Sequence, residues 1–158
     1  MATPADTGAE AGLAELVQRL WDIEQIKQLK ARYWRYIDEH NWSAFGTLFT
    51  ADCHFRYGPR DQHFCTGGAE IAPFVKSWTD PGVTVHHGHT PEITILSTTT
   101  AEGIWALYDH VDAHGSRGRA KFEGYGHYHE RYAKGDDGLW RISASRLTRL
   151  RVDQPGTA

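Results

Sequence analysis

The apolar positions of this chain begin at a helical period and end at a period of two, and that change bounds what the chain can fold into. From residue 13 to 36, Leu13, Leu16, Val17, Leu20, Ile23, Ile26, Leu29, Tyr33 and Tyr36 recur at steps of three and four. One face of a single amphipathic helix about 25 residues long satisfies that spacing. A break in it is expected near Trp21-Asp22. Beyond residue 80 the period falls to two. Alternating segments over 84–96, 101–113, 120–133 and 140–152 read as long strands, joined by turns at Ser97-Thr98-Thr99-Thr100 and at Lys134-Gly135-Asp136-Asp137-Gly138. Between the two regimes lie a short helix over 41–49, closed by Thr50-Ala51-Asp52, and short strands over 53–57 and 63–66 around Gly58-Pro59-Arg60-Asp61. A further helix opens at Gly67-Gly68, with Ile71, Phe74, Val75 and Trp78 as its apolar face. Helices gathered early and an antiparallel meander late predict an α+β fold. The expected shape is a cone, in which a curved antiparallel or mixed sheet wraps a long N-terminal helix and two shorter ones. The mouth of such a cone is a natural ligand cavity.

At 158 residues the chain has material for one good core and not for two. Residues 9–153 are expected to form that domain, with residues 1–8 disordered and 154–158 a loose tail. The net charge of −3, with no basic block, argues against nucleic acid as a partner. No apolar run approaches the roughly 20 residues that cross a bilayer, and the first residues lack the basic and apolar regions of a secretory signal. Cys53 and Cys65 fit no metal or redox spacing and read as reduced thiols, which points to the cytoplasm. Six Trp and seven Tyr fill a core at this density, but Tyr and Trp also line pockets that hold a flat or ring-shaped apolar ligand. The chain has no Gly-rich phosphate loop, no nucleophile elbow and no dinucleotide fingerprint.

Four groups of residues can carry chemistry. Asp38 closes the long helix, where a buried carboxylate meets the negative end of the macrodipole, and Tyr33 lies one turn earlier on the apolar stripe. Tyr33 reads equally as core packing, but a buried phenol hydroxyl needs a partner, and in a pocket a substrate carbonyl can supply it. The second group is His86, His87 and His89 with Asp109. A hairpin centred on the Ser-Thr run sets His86 opposite Val111 and diagonal to Asp109 on one face, which makes a histidine–aspartate general base. A slip of one residue brings His87 or His89 to that position instead. His87 and His89 are also two ligands of a metal site, but no third is evident. Tyr125, His127, His129 and Arg131 form the third group and share one strand face, and alternation leaves open whether it looks into the cone. The fourth is Arg149. It shares a face with Leu147, and if it points inward it must pair, with Asp38 or with an anionic group of a ligand. The expected ligand-contacting residues are Tyr36, Phe55, His87, His89, Trp105, Tyr125 and His127.

Taken in order, Tyr33 and Asp38 with Asn41-Trp42, then His86 to Ile93, Ala101 to Asp109, Gly124 to Tyr132, and finally Asp137 to Ile142 with Leu147 to Val152, resemble the SnoaL-like branch of the NTF2-like superfamily. The subgroup they most resemble includes bile-acid 7α-dehydratase, and scytalone dehydratase is more distant. Asn41 stands where relatives often carry Asp. The resemblance implies the cone fold, catalysis without a cofactor or metal, and catalytic roles for Tyr33, Asp38, His86, Asp109 and Arg149. It also implies a dimer or trimer. The family includes polyketide cyclases, ketosteroid isomerases and dioxygenase β-subunits without an active site. The expected function is therefore a lyase or isomerase acting on a hydrophobic ring compound such as a steroid or polyketide. His86 oriented by Asp109 is the base, Tyr33 polarises a carbonyl, and Asp38 assists as a second acid–base group or orients the histidine. A polyketide cyclase or a non-catalytic binding or assembly module are the alternatives.

Overall fold

The computed structural model describes residues 4–57 and 63–155. The expected turn at Gly58-Pro59-Arg60-Asp61, the first three residues and the last three lie outside them. Helix α1 runs over Pro4–Asp38 without interruption. No break occurs at Asp22 because tertiary contacts satisfy its buried carboxylate. Lys134 Nζ, Trp140 Nε1 and Gln18 Nε2 donate to Oδ1 at 2.5, 3.0 and 3.2 Å. The apolar stripe splits in two. Leu13, Leu16, Val17 and Leu20 are exposed, whereas Ile26, Leu29, Tyr33, Trp34 and Ile37 are buried in the core.

The short helix α2 (Trp42–Gly46) is capped by Asn41, whose side-chain oxygen accepts from the Ala44 amide at 3.3 Å. It ends earlier than its apolar residues suggest, because Phe49 already belongs to strand β1 (Phe49–Tyr57). Then come β2 (His63–Thr66), α3 (Gly67–Thr79), β3 (Gly82–Ile95), β4 (Thr100–Gly115), β5 (Gly118–Lys134) and β6 (Trp140–Asp153). The strands form one sheet in the order β2-β1-β6-β5-β4-β3. All neighbours are antiparallel except β1 and β6, which run parallel. The fold is therefore α+β with a mixed sheet. Its concave face packs on α1 and α3, and its other face is open.

Register in the β3–β4 hairpin decides which histidine looks inward. His86 lies directly opposite Asp109, two positions from the expected partner Val111. The turn is tight, with the Leu96 and Ser97 amides both donating to the Thr100 carbonyl, and a bulge follows between His89 and Glu92. A shift of two preserves the face, so His86 and Asp109 both point into the cone while His87 and His89 point out. Gly88, between them, has a specific task. A Cβ there would stand 1.7 Å from the Trp34 ring, so its absence lets α1 seat its indole flush on β3.

Candidate active site

The concave face of the sheet, α1 and α3 enclose a cavity of about 670 Å³. Apolar and aromatic side chains form most of its wall, among them Ile37, Phe55, Phe74, Trp78, Phe122 and Leu147. Into this lining project Tyr33, Tyr128, His86, Asp109, Tyr57 and His63, while Arg119, Lys121, Gln154 and Pro155 reach it near the sheet's edge.

Asp38, the last residue of α1, meets β3 here. Its Oδ1 lies 2.7 Å from His86 Nδ1 and accepts the Thr84 hydroxyl at 2.8 Å, and its Oδ2 accepts the His86 amide at 3.0 Å. Those donors offset the unfavourable position at the helix C-terminus. The imidazole keeps only 7% of its side-chain surface exposed, and the carboxylate 26%. With Nδ1–H donated to a carboxylate, the free lone pair sits on Nε2, the atom left to take a proton. The carboxylate bonded to the imidazole is thus that of Asp38, whereas both oxygens of Asp109, the expected partner, are taken by Arg149.

That second pair is bidentate. Arg149 Nη1 and Nη2 donate to Asp109 Oδ1 and Oδ2 at 2.6 and 2.7 Å, and Nη2 also reaches the Tyr57 hydroxyl at 3.5 Å. Burial alone would lower the guanidinium, but its bonds and attraction to Asp109 outweigh burial and hold it above its ordinary value. Arg149 thus points inward, paired with Asp109 and not with Asp38. The pair fits over β5 because Gly124, opposite Asp109, has no side chain. A Cβ there would stand 2.2 Å from Arg149 Nη1 and 2.3 Å from Asp109 Oδ1.

Tyr33 and Tyr128 pack edge to face, with ring centroids 5.6 Å apart. Burial pushes both phenols above the usual tyrosine range, so both remain protonated donors.

The remaining expected contacts divide. Phe55 lines the cavity. Trp105 does not, being buried in the core with its indole N–H donating to the Tyr132 hydroxyl at 2.7 Å. Tyr36 points away from the cavity, three residues round the helix from Tyr33, and flanks a separate groove with Trp140 and Arg141. His87, His89, Tyr125 and His127 lie on the outer face of the sheet, where alternation from His86 and Tyr128 puts them. The rings of His87 and His89 are 6.2 Å apart, and among the described residues no three His, Cys, Asp or Glu side chains come together as a metal site. Sequence reasoning missed Thr84, Tyr57, His63, Trp78 and Tyr128. Two of these carried a signal: Thr84 shares the face of His86 two residues earlier, and Tyr128 alternates with Glu130 and Tyr132 against the histidines of the same strand.

Among the described residues no helix is long and apolar enough to cross a membrane. The family model for the SnoaL-like domain matches residues 18–146. A protein of Gibberella zeae named as a probable cyclase is 26% identical over 135 residues, which span 79% of this chain and 89% of that one. Among solved structures, a scytalone dehydratase-like protein from Novosphingobium aromaticivorans superposes with a TM-score of 0.75 at 19% identity, over 90% of this chain and 93% of that one. A hexachlorocyclohexane dehydrochlorinase from Novosphingobium barchaimii does so with a TM-score of 0.74 at 14% identity, over 90% and 95%.

Proposed function

The chain belongs to the SnoaL-like family, and from that premise we propose that it is a cofactor-free enzyme of the lyase, isomerase or cyclase kind. Its substrate is a hydrophobic, ring-containing small molecule with a carbonyl group. His86 Nε2 removes a proton from the carbon beside that carbonyl. Asp38 holds the imidazole in the required tautomer and balances the charge it gains. Tyr33, with Tyr128 beside it, donates a hydrogen bond to the carbonyl oxygen as negative charge develops there. His86 then returns the proton, to a departing hydroxyl in a dehydration or to another carbon in an isomerisation. Dehydration is the reaction proposed within this class. It agrees with the chain's resemblance to bile-acid 7α-dehydratase and with a structural neighbour described as scytalone dehydratase-like. Asp109 and Arg149 hold the cavity wall behind the histidine. The chain assembles as a homo-oligomer through the open face of its sheet.

The observation that carries this reading is the 2.7 Å contact between His86 and Asp38 at an apolar cavity that Tyr33 also lines. A module that only bound or assembled would have no need to gather a carboxylate, an imidazole and two phenols there, since burying unused polar groups is costly.

The test is proton exchange in deuterated water. Cyclic β-hydroxyketones, steroid-sized and smaller, are followed by proton NMR for exchange beside the carbonyl and for loss of water. The natural protein should catalyse both, and His86→Ala should be slower by about 10²–10⁴-fold, the usual worth of a general base. Equal rates in the two proteins would remove the assignment.

A further inference from the structure

Lys30 lies on the buried stripe of α1, four residues after Ile26 and three before Tyr33, and is fully buried. Its ammonium is 2.5 Å from Glu130 Oε1. That carboxylate also accepts the Ser145 hydroxyl at 3.1 Å and, on Oε2, the Tyr132 hydroxyl at 2.6 Å. A buried ion pair of this kind is weak as a source of stability, because apolar residues of similar volume generally hold a core as well or better. Its surroundings suggest another use. Lys30 Nζ sits 3.5 Å from the ring centroid of Tyr128 and 3.7 Å from that of Tyr33, with the Trp34 ring at 5.1 Å. The first two rings belong to residues that line the cavity. A cation on the face of a phenol draws electron density from the ring, which strengthens the O–H as a donor and eases negative charge at the oxygen.

We propose that Lys30 is a positioning residue of the active site, whose ammonium, held by Glu130, fixes the rings of Tyr33 and Tyr128 and sharpens their hydroxyls as donors to a substrate oxygen. This rests on Tyr33 acting as the carbonyl-binding group. The ionisable groups around Lys30 are Tyr33 from α1, Tyr128, Glu130 and Tyr132 from β5, and Cys53 from β1 near Glu130. Burial pushes the three phenols above their ordinary range and the Cys53 thiol up to about 12. Burial lowers the Lys30 amine to about 8 against the opposing pull of Glu130.

One measurement, which needs no substitution, tests the proposal. The ζ-carbon resonances of Tyr33 and Tyr128 and the Nζ resonance of Lys30 are followed through the lysine's titration near pH 8. All three should move with one midpoint, and flat tyrosine resonances while Nζ titrates overturn the proposal. This readout is independent of turnover. Shifted phenols without proton exchange on ring ketones would sink the proposed function and leave the action of Lys30 standing.

Discussion

Two carboxylates stand close to the candidate base, and they do different work. Asp38 accepts from the His86 ring and amide and from Thr84, whereas Asp109 is committed to Arg149. Substituting each with asparagine should separate the roles. In Asp38→Asn the amide oxygen still accepts from Thr84 or the His86 backbone, but the amide NH₂ turned toward Nδ1 favours the wrong imidazole tautomer. Turnover should fall by about 10²–10⁴-fold, with the denaturation midpoint nearly unmoved. In Asp109→Asn the guanidinium loses its counter-charge in a largely buried site. Stability should fall by about 2–3 kcal/mol, below the full range for a buried pair because Arg149 keeps some exposure. Urea denaturation and steady-state kinetics on the two variants together check the division. A large stability loss in Asp38→Asn with turnover preserved would reverse it.

The elements meet at points that can be broken one at a time. Helix α1 seats on β3 through Trp34 lying where a Gly88 side chain would be. Gly88→Ala should push the indole out by more than the core can absorb, costing about 1–3 kcal/mol as overpacking. It should also lower activity, because Asp38 travels with the helix. Far-ultraviolet circular dichroism with thermal melting checks the first effect and turnover the second. Near its middle α1 is tied to the β5–β6 hairpin by Asp22. Burial alone would raise this carboxyl, but bonds from Lys134, Trp140 and Gln18 outweigh it and hold the group below its ordinary value of 3.8. A carboxyl depressed in the folded state contributes stability that is fully present above the unfolded value and is lost as pH falls through the folded one. The natural protein should therefore lose stability below about pH 4 faster than Asp22→Asn does, as equilibrium unfolding across acid pH would read.

Across the whole molecule, the large features were legible because each follows from a period. The long helix, the four long strands, the α+β class and the shared face of His86 and Asp109 all follow from spacings of 3.6 or 2. Tertiary facts were less legible. Nothing local says that Asp38 reaches across to β3, that Arg149 takes Asp109, or that Asp22 finds Lys134 more than a hundred residues away. Lys30 breaks an apolar stripe in a way that reads as an exposed lysine until Glu130 and the two phenols are seen around it. Tyr36 and Trp105 were expected at the cavity because aromatic character shows in sequence, whereas the helix face or core layer that receives it does not. The pairing of Asp38 with His86 has a further consequence. One partner is carried by the first helix and the other by a strand that begins more than forty residues later, so neither element holds the pair alone. Activity is then a property of the docked state. A chain that has closed its sheet but not yet laid its helix into it would look nearly native by its backbone and be catalytically silent, and the return of turnover would mark the last event of refolding.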